Sequence, residues 1–376
     1  MQRPEITVTM PAFNRAAFIA RAIDSVQAQS LSSWELIIVD DNSTDATLDI
    51  AQRYAASDAR IKVFQNDNNL GIGPTRNRAL AEARGRFITP LDSDDWYLPD
   101  RLERMLVSAD EHKAQLLSDD LLVVRDGDHL PSTTLSALCD EPLAEPLRID
   151  MAGLLRRLGI ERDGIALGLT KPLIERQFLI DHGITYDTTL PVGEDYWILA
   201  DCVAAGARFV MIPEALYNYR MHAQQTTKAT DPANDVRSSK RRLQAFLDSP
   251  AATNDLVAAA TARYHVGRIE VLDAYDSFTQ SLKSFRFDKA ARDALHEPRV
   301  LTELTIRLPL ALERRRRARR GDPFAYDQLF GPHLSRRVPV VQPASPSALD
   351  GDGRPRVPAR RGRLSGLRLT RALSRT

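Results

Sequence analysis

Residues 87–96 read FITPLDSDDW, a short apolar strand that stops at Asp92, Ser93, Asp94 and Asp95. Earlier segments repeat this plan of a strand followed by a polar turn. Residues 36–39 (LIIV) run into Asp40, Asp41, Asn42 and Ser43; residues 61–64 (IKVF) lead to the loop NNLGIG at 68–73, with Pro74 placed to open a helix. Residues 6–10 (ITVTM) form a further strand, broken by Pro11 and Asn14. Between the strands, Ile19, Ala22, Ile23 and Val26 recur at helical spacing, residues 44–54 continue a helical pattern, and Leu102, Met105, Leu106 and Ala109 share one helical face after Pro99. Short β-branched runs alternating with amphipathic helices predict an α/β fold, a parallel sheet flanked by helices.

Further along, 116–124 reads as a strand and 125–146 as an irregular insertion. Helices are expected at 151–158, 172–182 and 194–205, with short strands at 209–212 and 215–219. Residues 231–312 are helical by periodicity, with breaks near Pro250 and Pro298. The organisation expected is a domain over 1–230 with 125–168 unassigned, a helical region over 231–330, and a tail over 331–376. Proline, glycine, serine and arginine dominate that tail, and a stretch so poor in apolar residues is expected to be disordered alone.

The chain has 376 residues, 43% hydrophobic, enough to bury a large core. Its net charge of +1 hides an asymmetry: residues 313–376 hold 16 arginines and five acidic residues, so the body before them carries an excess of ten negative charges. No run approaches the roughly 18 apolar residues of a membrane span, and MQRPEITVTM has neither the apolar run nor the cleavage site of a signal peptide, so the cytoplasm is the expected compartment. Cys139 and Cys202, 63 positions apart with no CxxC, exclude a disulfide framework or thiolate zinc site and are expected to stay reduced.

In an open α/β sheet, ligands bind where the loops after the strands converge. Asp40/Asp41, the 68–73 loop and Asp92/Asp94/Asp95 fall at such ends and are expected to share one cleft. Singly, DNST is also an ordinary helix cap and DSDD a solvated turn. Together, crowded carboxylates repel by about a kcal/mol or more per close pair unless a cation intervenes. Oxygen ligands of this kind suit Mg²⁺ or Mn²⁺, whose shell is completed by substrate phosphates, so a diphosphate-bearing substrate is expected. Neither GxxxxGK[ST] nor GxGxxG follows the first strand, which removes the main support for kinase and dinucleotide-dehydrogenase readings.

The ordered segments VTMPAFNRAAFIARAIDSVQAQSLSSWELIIVDDNSTDAT, NNLGIGPTRNRALAEARGRFITPLDSDDWYLPDRL, GEDYWILADCVAAG and YNYRMH resemble glycosyltransferase family 2 over residues 4–222. The resemblance implies a GT-A fold, a Rossmann-like mixed sheet that binds nucleotide-diphosphate sugars, and inversion at the anomeric carbon. It implies nucleotide-site roles for Pro11, Phe13, Asp41, Gly71, Arg76 and Asp92. Phe13 stands where a tyrosine is common, so any contact of that hydroxyl is lost. It implies Asp94 on a Mn²⁺ or Mg²⁺ ion, with Asp95 an alternative ligand and His222 a further candidate. Asp195 matches the catalytic base, with Glu194 beside it. Independently, an inverting transfer needs one carboxylate to take the acceptor hydroxyl's proton; ordinary first-turn acids on a helix are the bland alternative for this pair. Trp96 and Trp197 read as packing residues.

The expectation is thus an enzyme, a glycosyltransferase using a nucleotide-diphosphate sugar, first of all a UDP-sugar, and a glycan or polyprenyl-linked acceptor in exopolysaccharide or cell-envelope assembly. The arginine-rich tail adds peripheral contact with anionic membrane, and the acidic body argues against nucleic acid as partner. Two alternatives stand beside it. A nucleotidyltransferase would want a Gly-rich basic loop after the first strand, where Pro11-Ala12-Phe13-Asn14 stands; a non-enzymatic protein would bind anionic surfaces through the tail.

Overall fold

The computed structural model describes residues 3–126, 133–135, 143–158, 167–190, 193–222 and 232–320. The expected tail at 331–376, and Cys139, lie outside these residues.

Strand β1 (Ile6–Ala12) sits between β2 (Trp34–Asp40) and β4 (Phe87–Pro90), and β2 carries β3 (Ile61–Gln65) on its far side, all four parallel. Every residue of β1 and β2 is buried, which explains why these strands read as near-continuous apolar runs rather than alternating ones. Helices α1 (Ile19–Gln27), α2 (Thr47–Ser57) and α3 (Ile72–Glu82) make the crossovers. The face of α1 buried against the sheet is Ile19, Ala22, Ile23 and Val26, the set marked by its periodicity.

Beyond β4 the sheet becomes mixed. A short β5 (Trp96–Tyr97) leads into α4 (Arg101–His112) and β6 (Leu116–Arg125); β7 (Thr133–Leu135), β8 (Leu147–Ile149) and α5 (Met151–Leu155) follow. Then β9 (Leu173–Glu175) inserts between β4 and β6, antiparallel to both, before α6 (Arg176–His182), α7 (Glu194–Ala204) and β10 (Phe209–Met221). The sheet order is β3-β2-β1-β4-β9-β6-β10-β5, with β7 on β6 and β8 on β10.

Two departures from the expected elements have physical causes. Residues 172–182 read as one helix, but 173–175 form a strand, because Leu173 and Ile174 fill a slot between Ile88 and Leu116 that local periodicity does not reveal. Residues 209–212 and 215–219 read as two strands, yet β10 is continuous: it carries Pro213 through a register shift between Met211 and Ala215, where a missing N–H is tolerated.

The mixed Rossmann-like core is followed by helices, as expected: α8 (Pro232–Leu247), α9 (Pro250–Asn254), α10 (Leu256–Lys283), α11 (Phe287–His296) and α12 (Arg299–Arg319). Leu243, Ala258, Ala262 and Ile269 pack into the same apolar cluster as Phe209 and Met211 of β10 and Leu199 of α7. The helical region therefore braces the strand and helix that carry one wall of the cleft. No helix among the described residues is long and apolar enough to cross a membrane. Cys202 is free and buried, and burial pushes its thiol up to about 12, so it is inert.

Candidate active site

The loops after β1, β2, β3 and β4 open onto a cleft of about 610 Å³, closed on the other side by the start of α7 and the segment before β9. Its lining includes Pro11, Phe13, Asp41, Gly71, Arg76, Asp92, Asp94, Glu194 and Asp195, so the convergence expected from the strand ends is found.

One lobe is built on Asp41. Its Oδ1 accepts from Asn66 Nδ2 at 2.7 Å and Leu70 N at 2.9 Å, and its Oδ2 accepts from Gly71 N at 2.9 Å. Asp41 thus fastens the 68–71 loop that walls this lobe. Gly71 has φ +87°, a backbone that side-chain-bearing residues rarely adopt, and this sets the turn into α3. Pro11 is buried beneath the lobe while Phe13 stands half-exposed at its mouth.

At the centre lies a buried charge network. Arg76, 3% exposed, donates from Nη2 to Asp92 Oδ1 at 2.9 Å and Asp195 Oδ2 at 3.0 Å, and from Nε to Glu194 Oε1 at 3.2 Å. Lys171, equally buried, donates from Nζ to Asp92 Oδ2 at 2.8 Å and Asp195 Oδ2 at 2.7 Å. Burial opposes both cations, but Asp195 and Asp92 outweigh it and raise both pKa values, so both stay charged. Burial also opposes the Asp92 anion, yet Lys171 and Arg76 hold it well below the usual carboxylate range. Glu194 goes the other way: burial, then the charge of Asp195, push it up to about 7.

Glu194 and Asp195 are delivered by Gly193, whose φ of +89° turns the chain into α7. Asp195 Oδ2 takes both cations, whereas Oδ1 is buried with no hydrogen-bond partner among the described residues. An unsatisfied buried carboxylate oxygen costs about 1–3 kcal/mol or more, a penalty that a donor brought to Oδ1 would relieve.

Asp94 stands on the rim. Its Oδ2 lies 3.1 Å from Arg15 Nε and 3.0 Å from His222 Nε2. His222 is 2% exposed and packs its ring against Phe18, centroids 4.5 Å apart. Asp95, expected as an alternative metal ligand, is not brought to the cleft. Its Oδ2 accepts from Tyr217 Oη at 2.6 Å and its Oδ1 from Arg220 N at 2.7 Å, locking it to β10, and burial with the Asp94 and Asp92 charges raises its pKa. Adjacent residues on a turn point apart, and sequence alone does not say which faces the ligand. Trp96 is buried, with the guanidinium of Arg21 3.5 Å and that of Arg220 4.9 Å from its ring centroid; Trp197 lies within 5.1 Å of Arg242 but also reaches the cleft lining.

Among the described residues no group of three or more His, Cys, Asp or Glu side chains forms a metal cluster. Asp94, which lines the cleft, meets the buried imidazole of His222 and shares the same oxygen with Arg15, so a divalent ion there would be offered a carboxylate and an imidazole, with most of its shell left to substrate oxygens and water.

Lys171 and Arg15 are the participants that sequence reasoning missed. Lys171 belongs to no recognisable motif, but this chain has 44 arginines and only seven lysines, so a lysine between apolar segments was a usable signal.

A mixed sheet with a nucleotide-sized cleft at its strand ends, an Asp-x-Asp turn and a facing Glu-Asp helix start is the architecture of a GT-A nucleotide-sugar transferase. The family model for Glycosyl transferase family 2 matches residues 7–154. The succinoglycan biosynthesis protein ExoO of Rhizobium meliloti is 31% identical over 351 residues, 93% of this chain and 96% of that one. The GalNAc(5)-diNAcBac-PP-undecaprenol beta-1,3-glucosyltransferase of Campylobacter jejuni is 37% identical over 120 residues, 32% of this chain and 39% of that one. Among solved structures, S. aureus TarS 1-349 in complex with UDP-GlcNAc superposes with a TM-score of 0.59 at 22% identity, over 86% of this chain and 89% of that one, a likeness of fold. The chain belongs to glycosyltransferase family 2 and is a glycosyltransferase.

Proposed function

We propose that this enzyme transfers a sugar, with inversion, from a nucleotide-diphosphate donor, a UDP-sugar first of all, to a hydroxyl of a glycan or polyprenyl-linked acceptor in exopolysaccharide or cell-envelope polysaccharide assembly. The observation that carries the reading is Asp195: a residue of the cleft lining whose carboxylate is fixed through Oδ2 by two cations, with Oδ1 buried and unpartnered among the described residues. Such an oxygen can accept the acceptor hydroxyl's proton as that hydroxyl attacks the anomeric carbon. The nucleobase is received between Pro11, Phe13 and the loop held by Asp41, and Asp92 faces the ribose. Asp94 and His222 are the residues that would hold Mn²⁺ or Mg²⁺, which when bound offsets charge on the departing diphosphate. Arg76 and Lys171 keep Asp92 and Asp195 oriented, so that base and donor site form one preorganised unit.

The setting is supported by what ExoO and the undecaprenol-linked glucosyltransferase are called. A cytoplasmic site with peripheral contact at anionic membrane is supported by α12, where exposed Leu301, Leu308 and Leu312 share a stripe that runs on into exposed Arg315, Arg316 and Arg319. A thermal-shift panel of nucleotide sugars with and without Mn²⁺ tests the donor. A ligand that binds the folded state raises its stability in proportion to ln(1 + [L]/Kd), and no shift with any UDP-sugar would overturn the assignment.

A further inference from the structure

We propose that Lys171 is the positioning residue of the transfer step: its ammonium, shared by Asp92 and Asp195, holds the base with Oδ1 unpaired and couples it to the donor half of the cleft. The inference rests on the sugar-transfer reading above and names a residue that no motif marks.

Three observations carry it. The first is the bridge itself: one nitrogen, 3% exposed, lies 2.8 Å from Asp92 Oδ2 and 2.7 Å from Asp195 Oδ2. Without it, two carboxylates from opposite walls of the cleft would face each other with only Arg76 between them. A compact ammonium places its whole charge at one point between the two oxygens, beside the guanidinium of Arg76, which spans Asp92, Glu194 and Asp195. This is a chain that takes most of its positive charge from arginine, 44 against seven lysines.

The second is how firmly Lys171 is placed. Its carbonyl accepts from Arg101 Nη2 at 2.5 Å and from Thr89 Oγ1 at 3.4 Å. Arg101 is fully buried and makes two 2.8 Å hydrogen bonds to Asp119, itself fully buried. A buried ion pair with its hydrogen bonds satisfied has few alternative arrangements, so the backbone at 171 is pinned from the core outward and the side chain reaches the cleft from a fixed base.

The third is the division of labour on Asp195. Lys171 and Arg76 both donate to Oδ2, and no described group donates to Oδ1. Two donors on one oxygen fix the carboxylate's rotation, and what remains is one lone-pair-bearing atom that nothing in the described fold uses. The groups around this carboxylate are Arg76 on α3, Lys171 before β9, Asp92 after β4 and Glu194 on its own helix.

The test uses the full chain, with UDP-glucose and UDP-N-acetylglucosamine as donors and water as acceptor, reading UDP release. In this reaction water's oxygen bonds to the anomeric carbon as the bond to UDP breaks, and the water proton passes to Asp195. Lys171→Met is expected to lower kcat by about 10- to 100-fold, part of what base assistance contributes, with donor KM changed far less. Lys171→Arg keeps the charge and is expected to recover part of that loss, even if Lys171→Met folds poorly. Because Lys171 acts through Asp195, Lys171→Met added to Asp195→Asn should slow the reaction no further. A lysine that only balances charge would lower stability and leave kcat intact, so kcat for Lys171→Met within about two-fold of wild type, or multiplicative effects in the double variant, overturns the proposal. A ligand-free double-mutant cycle on urea unfolding of the same pair decides separately whether the bridge exists, and additivity there also overturns it. Failure of wild type to release UDP would count against the donor reading, which the unfolding cycle does not use.

Discussion

Replacing Arg76 by Met tests the charge network directly. In the native protein, three carboxylates, Asp92, Glu194 and Asp195, share two cations, Arg76 and Lys171. Removing Arg76 leaves Lys171 facing all three, with Glu194 stripped of the one ion pair it makes among the described residues. Breaking a buried ion pair by deleting one partner costs about 3–5 kcal/mol, and that range is expected for Arg76→Met at about pH 8.5, above the value of about 7 to which Glu194 is raised in the native protein. The cost should shrink on acidification. Burial and Asp195 already raise Glu194 from its ordinary 4.5 to about 7. A carboxyl whose folded pKa is raised gives a stability contribution that is full below the ordinary value and is lost as pH rises through the folded one. Without Arg76 the folded value rises further, so Glu194 keeps its proton and the network carries one negative charge fewer. Urea unfolding at about pH 5.5 and about pH 8.5 reads the difference, expected to be at least about 1 kcal/mol, the worth of under one pKa unit. A cost below about 1 kcal/mol at the higher pH, or one equal at both, would refute the claim that Arg76 is the hub of a coupled network.

Asp195→Asn keeps shape but cannot take a proton; donor binding should persist while kcat falls about 10²- to 10⁴-fold, and Glu194→Gln should do less or act mainly on KM. A wild-type rate for Asp195→Asn would move the base to Glu194. Asp94→Ala should weaken Mn²⁺-dependent nucleotide-diphosphate binding, and activity that survives a chelator would sink the metal assignment. Asp41→Ala frees the 68–71 loop and should weaken nucleotide binding while leaving the metal requirement in place, as measured by titration at several Mn²⁺ concentrations. A chain ending at Leu312 should float less with anionic vesicles than the full chain, at about 1 kcal/mol per arginine before screening; equal flotation excludes the arginine-rich end as the attachment.

The N-terminal half of the fold could be read residue by residue because its signals are local. β1 and β2 are buried on both faces, α1 shows one apolar stripe, and each acidic turn follows its own strand. β9 could not, since three residues hold no period and their strand character comes from Ile88 and Leu116 on either side. The same divide runs through the site. Asp41, Asp94 and Asp195 stand in recognisable spacings, whereas the assignment of Asp95 depended on Tyr217 and the role of Lys171 on carboxylates from two distant segments. Sequence proximity announced which turns carry chemistry, and side-chain direction waited for tertiary contacts.

The late arrival of β9 and β10 has a consequence for how the protein is made. Asp94 waits for His222, 128 residues further on, and Asp95 waits 122 residues for Tyr217. At synthesis rates of roughly 5–20 residues per second, the first interval lasts roughly 6–26 s. Throughout it, the β3-β2-β1-β4 half-sheet can form from its own local crossovers, but β4 has no neighbour on one side until β9 is made. A nascent chain halted before residue 173 therefore displays an open strand edge beside Asp92, Asp94 and Asp95, before Lys171, Tyr217 and His222 can fully join them to the fold. Those like charges hinder pairing between two such half-made chains at the edge where unprotected strands otherwise aggregate.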